Sequence, residues 1–575
     1  MEIKYDSLPI SWSTPKISEI ALLNPTFDKT KLSDDTEVSF VPMTAVHTGS
    51  GVIDVSGTRK LSAVKKGYTP FLEGDILFAK ITPCMENGKM AIVPALRNGI
   101  GFGSTEFHVL RPSSSVNTKF VYIFVSSKIF RMEAERYMSG AVGQRRVATP
   151  YLTNCEIPLP SLLEQQHIVA KIEELFSELD NGIESLKKAR EQLKTYRQAV
   201  LKYAFEGKLT KEWRTRQKEM GNSPEPAEKL LVRIKKERQT QYQKQVDAWQ
   251  KASEQAEKDG SKKPAKPKKP KDLPPLTEKE LAELPELPEG WEWVYSEVIS
   301  EFITKGTTPE KHKLHQRTGE IPFIKVYNLT HDGSLDFSVD PTYTDFETHC
   351  GFLSRSMIYP GDVLMNIVGP PLGKVSVVPD TFPEWNINQA IARYRPYNSV
   401  RRSFLKYYLL AEWTIRLMIS KSKATAGQFN LTLEICRELP FPLCSLEEQD
   451  EIISYIDSRL SVCDQLEKTI KDSLRKAEAL RQSILKKAFE GELTRDWREQ
   501  HPELVSGENS AEKLLERIKA ERNSHKSLFA KGGHKNIAIR QMGLPFEKSA
   551  SPRIKKEISR KQERNERSQD QKTDC

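Results

Sequence analysis

The feature that most constrains this chain of 575 residues is an internal repeat. The segment Leu201-Lys-Tyr-Ala-Phe-Glu-Gly-Lys-Leu-Thr-Lys-Glu-Trp-Arg214 recurs as Leu485-Lys-Lys-Ala-Phe-Glu-Gly-Glu-Leu-Thr-Arg-Asp-Trp-Arg498, so the numbering offset between the copies is 284 (485 minus 201). The same offset relates two other pairs of segments, Glu164-Gln165 to Glu448-Gln449 and residues 227–231 to residues 511–515. Repetition at a fixed period governs the architecture of a chain. We therefore expect two copies of one structural unit.

Each copy contains a long apolar stripe at helical spacing. Residues three or four apart lie on one face of a helix, so each stripe predicts a long helix that needs a partner. At 1.5 Å per residue, a helix over residues 164–206 would be roughly 64 Å long. The stripes comprise Ile168, Ile172, Leu175, Leu179, Ile183, Leu186, Leu193, Tyr196 and Val200 in the first copy, and Ile452, Ile456, Leu460, Cys463, Leu466, Ile470, Ala477, Leu480 and Ile484 in the second.

A region with a different sequence pattern precedes each helical region. Residues 12–150 and 291–435 contain short β-rich runs interrupted by Gly, Pro and Asn, which predicts mixed α/β globular domains. Four dipeptides correspond between the two regions: Gly74-Asp75 with Gly361-Asp362, Gly88-Lys89 with Gly373-Lys374, Arg111-Pro112 with Arg395-Pro396, and Gly143-Gln144 with Gly427-Gln428. The predicted order is globular, helical, globular, helical.

Composition sets the predicted boundaries of the linker and the tail. Residues 262–271 are almost entirely Lys and Pro, which cannot form a core or a helix, and the end of the chain has too few apolar residues to fold alone. The expected segments are a globular domain at 1–156, a helical region at 157–239, a Lys/Pro-rich linker at 240–288, a second globular domain at 289–438, a second helical region at 439–525, and a basic, disordered tail at 526–575.

Charge and cysteine content exclude some classes of protein. The 88 Lys and Arg exceed the 78 Asp and Glu, giving a net charge of +10, which suits a polyanionic partner without requiring one. The 7 cysteines form no CxxC pair and have no histidine at ligand spacing, so we expect free thiols and no metal site. No apolar run approaches the length of a membrane span, which predicts a soluble, intracellular protein.

The most specific motifs stand where the helical regions begin and end. Ile157-Pro-Leu-Pro160 precedes Glu164-Gln165, Leu439-Pro-Phe-Pro442 precedes Glu448-Gln449, and Ala-Phe-Glu-Gly occupies 204–207 and 488–491. With these motifs the chain resembles the specificity (S) subunits of type I restriction–modification enzymes, over nearly its whole length to about residue 525. The resemblance implies an α+β fold in which two target-recognition domains alternate with two long helical regions. Those helices pair as an antiparallel coiled coil, giving an internal pseudo-twofold repeat.

The resemblance also implies a function. The chain would be a non-catalytic subunit that binds a bipartite double-stranded DNA target in the prokaryotic cytosol, with its helices setting the distance between the half-sites. It would dock two methyltransferase (M) subunits, which carry S-adenosylmethionine, and restriction (R) subunits, which use ATP and Mg, and would itself bind no cofactor. Candidate structural or subunit-docking residues are Glu164, Gln165, Phe205, Glu206, Gly207, Glu448, Gln449, Phe489, Glu490 and Gly491.

Two target-recognition domains that share one scaffold but bind different half-sites should differ in the residues that contact bases. Gly143-Gln144 and Gly427-Gln428 match, so they would form loops or contact the DNA backbone, whereas Arg145-Arg146 faces Phe429-Asn430. Arginine suits guanine edges and asparagine suits adenine. The candidate DNA-binding residues, each of which could equally be a plain surface residue, are Lys80, Thr82, Lys89, Gln144, Arg145 and Arg146 in the first domain and Asn366, Lys374, Asn386, Asn388, Gln389, Gln428 and Asn430 in the second.

Other motifs keep two alternative functions open. Asn24-Pro25-Thr26-Phe27 is close to the loop by which adenine methyltransferases hold a flipped base, but Thr26 breaks it and no helix follows Gly99-Ile-Gly-Phe-Gly103, so both segments are predicted to be loops. Gly369-Pro-Pro-Leu-Gly-Lys374 is too short for a phosphate loop and predicts a turn before a strand. One alternative is an enzyme, either a self-contained adenine methyltransferase or a fused restriction–modification protein. The other is a structural adaptor whose coiled coil bridges proteins.

Glu164 and Glu448 admit a simpler interpretation than subunit docking. A carboxylate near the start of a helix is favoured by the helix dipole, so we expect these two residues to cap their helices. His167 lies beside the first pair, but Asp450 stands near the equivalent position of the second copy, which argues against a metal-binding or catalytic role.

Overall fold

The structure, a computed structural model, describes residues 8–26, 32–141, 143–267, 269, 273–422, 424–425 and 428–530. It divides into two compact units. Unit 1 combines both ends of the chain, Met1–Glu173 and Gln482–Cys575, and unit 2 is Glu174–Arg481. Most of the predicted tail, from residue 531 onwards, lies outside the described residues.

The helices confirm the two long rods that the apolar stripes predict. Helices α6 (Leu162–Phe205) and α14 (Leu446–Phe489) each contain 44 residues, which is about 66 Å at 1.5 Å per residue. In chain order the helices are α1 (Ile17–Ile20), α2 (Leu61–Val64), α3 (Thr118–Ser126), α4 (Lys128–Arg136), α5 (Thr149–Asn154), α6 (Leu162–Phe205), α7 (Lys211–Glu219), α8 (Ala227–Lys258), α9 (Glu278–Ala282), α10 (Phe346–Cys350), α11 (Arg402–Leu410), α12 (Glu412–Ser420), α13 (Leu433–Arg437), α14 (Leu446–Phe489), α15 (Arg495–Gln500) and α16 (Ala511–Ala530).

Helix α8 overturns part of the predicted linker. The helical region was expected to end at residue 239, but α8 continues through Lys258, and α9 lies within the same predicted linker. Residues 240–258 are rich in Gln, Lys, Glu and Ala, which are good helix formers, and contain no proline. The composition argument against a helix therefore applies only to the Lys/Pro run at residues 262–271.

The strands form two main sheets of related strand order in each unit. They are β1 (Ala21–Leu23), β2 (Glu37–Val41), β3 (Thr58–Lys60), β4 (Thr69–Leu72), β5 (Ile76–Ala79), β6 (Met90–Ile92), β7 (Ile100–Gly103), β8 (Phe107–Pro112), β9 (Met138–Ser139), β10 (Arg146–Val147), β11 (Glu292–Tyr295), β12 (Ser300–Lys305), β13 (Leu314–Gln316), β14 (Ile321–Ile324), β15 (Thr342–Thr344), β16 (Met357–Ile358), β17 (Val363–Asn366), β18 (Val368–Gly369), β19 (Val375–Val377), β20 (Trp385–Ile387), β21 (Ile391–Pro396), β22 (Ala424–Thr425), β23 (Gln428–Asn430) and β24 (Pro440–Leu443).

In unit 1 the sheets have the orders β1-β8-β5-β6 and β3-β2-β7-β4, and β9 pairs with β10. In unit 2 the corresponding sheets are β12-β21-β17-β19 and β13-β15-β14-β20-β16, with smaller sheets β18-β23-β22 and β11-β24. Each unit has one parallel pair in its second sheet, β2 with β7 and β14 with β20. The predicted repeat of two mixed α/β domains is confirmed.

The segment Gly99–Gly103, predicted to be a loop, is instead largely the buried strand β7. The loop prediction was wrong because it treated every glycine as a breaker of regular structure. A Cβ at Gly101 would overlap the ring of Phe71, so this glycine makes room for an aromatic side chain in the core. Residues 370–374, predicted to be a turn, do lie between β18 and β19.

Within unit 2, α6 and α14 pack antiparallel. Arg197 forms an ion pair with Asp464, and Arg481 forms one with Asp180. These two ion pairs repeat each other, because Asp464 and Arg481 follow their counterparts Asp180 and Arg197 at the offset of the repeat. The antiparallel pairing of the two helices is therefore symmetric. Its centre lies between residues 188 and 189 in α6 and between residues 472 and 473 in α14.

Residues that match between the two domains hold the scaffold together. The guanidinium of Arg111 donates to both carboxylate oxygens of Asp75 at 2.6 and 2.7 Å. Arg395 donates to Asp362 in the same way, at 2.7 Å for each contact. The four residues belong to the dipeptides that correspond between the domains. This supports the premise that matched residues are structural.

Candidate nucleic-acid interface and helix-end junctions

In unit 1 two loops that are distant in sequence lie side by side. The N–H of Thr82 donates to the carbonyl of Arg145 at 3.0 Å, and the N–H of Val147 donates to that of Lys80 at 2.9 Å. Gly143, with a φ of +79°, allows the turn between β9 and β10. The contacts bring Lys80 and Thr82 together with residues 144–146. We call this set of residues 80–89 and 143–146 the unit 1 reading loops, after the role predicted for them from the sequence.

Acidic partners already engage several side chains of the unit 1 reading loops. Arg146 donates through Nε and Nη2 to the two oxygens of Glu106, each at 2.9 Å, and this bond lowers the pKa of Glu106. Arg145 Nη2 donates to Glu135 Oε1 at 3.4 Å, and Thr82 Oγ1 donates to Glu86 Oε1 at 2.8 Å. Among the other candidates, the Nζ of Lys89 donates to a backbone carbonyl, Gln144 is exposed, and Lys80 is half-buried.

Unit 2 builds a similar surface from β18, β23 and two turns. Strand β23 pairs with β18, aligning Asn430 with Val368, and the N–H of Ile367 donates to the carbonyl of Ala390 at 2.9 Å. The turn at residues 388–390 therefore lies beside residue 367, which connects β17 to β18. We call residues 367–374, 388–390 and 428–430 the unit 2 reading loops. The side chain of Gln428, a sequence candidate, lies outside the described part of the structure.

Two of the unit 2 candidates are fully buried. Asn366 donates to the carbonyl of Pro371 at 2.9 Å and accepts from the N–H of Lys374 at 2.9 Å, so it shapes the loop from inside. Asn386 lies 2.6 Å from Nδ1 of His349, away from solvent. A base edge could reach neither side chain without opening the domain. Gln389 and Asn430 are exposed, whereas Lys374 and Asn388 are half-buried.

The Glu-Gln pair of the first copy forms a buried junction in unit 1. Glu164 is fully buried and accepts hydrogen bonds from Trp12 Nε1 at 2.9 Å, Thr494 Oγ1 at 2.8 Å and Arg498 Nη1 at 2.6 Å. Ser161 Oγ caps the helix by accepting from the N–H of Glu164 at 3.2 Å. The interpretation of Glu164 as the helix cap is therefore wrong, because its carboxylate is used for long-range contacts.

Unit 2 repeats this junction with equivalent residues. Glu448 accepts from Trp291 Nε1 at 2.8 Å and Thr210 Oγ1 at 2.7 Å, and it is also bound by Arg214. Ser445 again supplies the cap, with its Oγ 3.1 Å from the N–H of Glu448. The Thr and Arg of one copy of the repeat thus bind the glutamate of the other copy, in both units. The capping interpretation is wrong for Glu448 as well.

The neighbouring glutamines attach each long helix to its globular domain. Gln165 Oε1 accepts from the N–H of Asn117 at 2.9 Å, and Gln449 Oε1 accepts from that of Arg401 at 2.8 Å. Asn117 and Arg401 are again related by the offset of the repeat. His167, in the same turn of α6, stacks on Trp497 with ring centroids 4.7 Å apart, which is a packing contact.

The Ala-Phe-Glu-Gly motifs complete the junctions. Phe205 packs on Phe404 and Tyr408, and Phe489 packs on Phe120 and Phe124, with ring centroids 5.1 to 5.4 Å apart. Gly207 and Gly491 have positive φ, and an added Cβ would overlap Pro288 and Pro9, respectively. Glu206 and Glu490 pair with nearby lysines. These residues stabilise each unit from within.

One repeated element of the junctions was missed by the sequence analysis. Leu8-Pro9-x-x-Trp12 and Leu287-Pro288-x-x-Trp291 share a pattern, but at a slightly shorter offset than the helical motifs. They supply the proline that covers the glycine and the tryptophan that binds the glutamate. A search for the repeat at neighbouring offsets would have revealed them.

Two negative observations concern the described ranges. None of their helices combines the length and apolar character needed to cross a bilayer. In those same ranges, no three His, Cys, Asp or Glu side chains are grouped as a metal site would require. Six cysteines there are free thiols, and Cys575 lies beyond them.

Comparison with known proteins gives one consistent result. A family model described as the type I restriction modification DNA specificity domain matches residues 9–195 and 288–476, together more than half of the chain. The chain is 30% identical over 520 residues to the EcoEI specificity subunit of Escherichia coli, covering 81% of this chain and 80% of the relative. It is 29% identical over 523 residues to the EcoAI specificity subunit of Escherichia coli, covering 82% and 81%.

A solved structure shares the fold. A chain from a study of complex assembly and conformational transition of the type I R-M system superposes with a TM-score of 0.58 at 22% identity, covering 84% of this chain and 99% of that one. The chain belongs to the family of type I restriction–modification specificity subunits. Its role in the restriction–modification complex is DNA recognition, and it is not an enzyme.

Proposed function

We propose that this chain reads a bipartite double-stranded DNA target in the cytosol of a prokaryotic cell, with unit 1 reading one half-site and unit 2 the other. The observation that carries this proposal is the combination of one scaffold with two different sets of loop residues. The Asp–Arg pairs of the scaffold are the same in both units, whereas Arg145-Arg146 is replaced by Phe429-Asn430 in the reading loops. Such a difference is expected where half-sites differ.

Burial narrows the set of residues that we propose to contact DNA. Asn366 and Asn386 are excluded because they are buried within unit 2. Arginine can read guanine and asparagine can read adenine, while Lys, Thr and Gln contact phosphates or bases. The proposed contacts are Lys80, Thr82, Lys89, Gln144, Arg145 and Arg146 in unit 1 and Lys374, Asn388, Gln389, Gln428 and Asn430 in unit 2.

Single substitutions should change one half-site at a time. We expect Arg145→Ala to relax base preference only in the half-site read by unit 1, and Asn430→Ala only in the other, because the two side chains lie in different units. The measurement is genome-wide mapping of methylated bases in cells carrying each variant. Arg475→Ala, which removes an exposed ion pair on α14, is the control and should leave both half-sites unchanged. Simultaneous change of both half-sites by either reader variant would contradict independent reading.

We further propose that two methyltransferase subunits, carrying S-adenosylmethionine, dock on the repeated scaffold, and that restriction subunits using ATP and Mg join them. The junctions around Glu164 and Glu448 support this, because the same surroundings occur twice in one chain. Native mass measurement of the assembly purified from its host should give two methyltransferase subunits for each copy of this chain. A stable assembly containing only one would contradict the proposal.

The adaptor alternative makes a different prediction from DNA reading. If this chain only bridged subunits, the complex that contains it would bind cognate and random DNA duplexes with equal affinity. Specific recognition typically exceeds non-specific binding by about 10³-fold or more. Competition between the two duplexes at fixed salt therefore separates the two functions.

A further inference from the structure

Glu106 lies in the turn that follows β7, beside the unit 1 reading loops, and it is not among the candidate residues predicted from the sequence. Its ion pair with Arg146 is bidentate, with both contacts at 2.9 Å. The side chains of Arg146 and Glu106 are 41% and 25% exposed. The pair therefore lies at the solvent-facing edge of the reading loops, where a DNA groove could reach it.

Comparison of the two units separates this ion pair from the pairs of the scaffold. The N–H of Lys80 donates to the carbonyl of Glu106, as the N–H of Ile367 donates to that of Ala390, each at 2.9 Å. Position 106 thus corresponds to 390, and position 146 to Asn430, both at the offset of the repeat. Unit 2 therefore has neither the carboxylate nor the guanidinium, since Ala390 and Asn430 occupy the two positions. The Asp–Arg pairs of the scaffold are present in both units, so the Glu106–Arg146 pair varies as base-reading residues should.

The chemistry of the pair restricts what could replace it. The guanidinium fork now faces two acceptor oxygens, and the O6 and N7 atoms of guanine present two acceptors to an arginine in a similar way. Release of Arg146 leaves the carboxylate of Glu106 without its partner, and the N4 amino group of cytosine is a donor that a glutamate can accept. A phosphate could attract Arg146 but would repel Glu106.

We propose that Glu106 and Arg146 together select a G·C base pair in the half-site read by unit 1. On binding, the ion pair separates, and Arg146 binds the guanine while Glu106 binds the cytosine. The inference rests on the proposed function, in which unit 1 reads that half-site. In the major groove neither base of an A·T pair offers arginine two acceptors side by side, so an A·T pair would leave the separated charges incompletely paired. Glu106 thus adds discrimination by making incorrect sequences unfavourable.

The test uses the complex of this chain with its methyltransferase subunits. Methylation mapping of the wild type first defines the target, and affinity is then measured for duplexes that carry each single base-pair change in it. Wild type should prefer G·C at one position by on the order of ten- to a hundredfold. Glu106→Gln should reduce that preference at least tenfold at this position alone and should raise affinity for a random duplex. The matched control is Glu133→Gln, which removes an exposed Glu–Arg pair on α4.

A second variant guards against misfolding. The double substitution Glu106→Ala with Arg146→Asn copies the residues found at the equivalent positions of unit 2, so the scaffold should accept it. It should lose the same G·C preference and keep the preferences at the remaining positions. A unit 1 half-site without any G·C pair, or unchanged discrimination in both variants, would overturn the inference. Equal binding of cognate and random duplexes by the wild-type complex would instead refute the proposed function.

Discussion

Replacing Arg498 by leucine should destabilise unit 1 by about 3–5 kcal/mol, because it leaves the fully buried carboxylate of Glu164 without its cationic partner. Trp12 and Thr494 would still donate to the carboxylate, but neither carries a charge. Amide hydrogen exchange resolved along the chain is the measurement. Protection should fall in the unit 1 segments 162–173 and 482–489, while unit 2 should retain its protection.

The repeat supplies the control for this substitution. Arg214→Leu removes the equivalent partner of Glu448, so it should lower protection in unit 2 and not in unit 1. The double variant Glu164→Leu with Arg498→Leu should recover most of the lost stability, since removing both members of a buried pair leaves no unpaired charge. Equal loss of protection in both units from Arg498→Leu alone would show that the junction does not act locally.

Lengthening both long helices by one heptad should increase the spacing between the two half-sites by about three base pairs. The expectation rests on the role that the family resemblance implies for the two long helices, α6 and α14, which is to set this distance. Seven residues add about 10 Å to a helix, and DNA rises about 3.4 Å per step. Both half-site sequences should be retained, because the reading loops are unchanged. The two half-sites would also be rotated by about a third of a DNA turn, which should weaken binding unless the domains can turn.

The ion pairs of unit 2 determine where the heptads belong. Duplicating residues 182–188 and 466–472 inserts one heptad into each helix at the point of symmetry of the antiparallel pairing. The pairs Arg197–Asp464 and Arg481–Asp180 then keep their register, and the inserted segments face each other. Duplicating residues 466–472 alone would misalign one of the pairs, so this control should lose stability and methylation activity.

Mapping of methylated bases in cells carrying the double insertion decides the matter. The expected result is the original two half-sites separated by about three more unspecified base pairs. An active complex that methylates targets with the original spacing would show that the length of the coiled coil does not set the distance. The native mass of the assembly provides a check that the inserted chain still binds its partner subunits.

The sequence by itself determined the properties that depend on order and local periodicity. The constant offset between matching motifs established the repeat, and the apolar stripes established two long helices of equal length. Helical periodicity is a local property, so it survives without knowledge of the packing. The matched Gly-Asp and Arg-Pro dipeptides also pointed to the scaffold, since two copies of one chain segment can be compared within a single sequence.

Only the tertiary structure decided which polar residues face solvent and which partners they have. Glu164 is far along the chain from both Trp12 and Arg498, so no local pattern joins them. Asn366 and Asn430 are the same residue type close to the same strand pair, yet one is buried and the other exposed. Their difference arises from the folding of a loop over one side chain, which is a consequence of long-range packing. Composition and spacing, being linear properties, do not encode it directly.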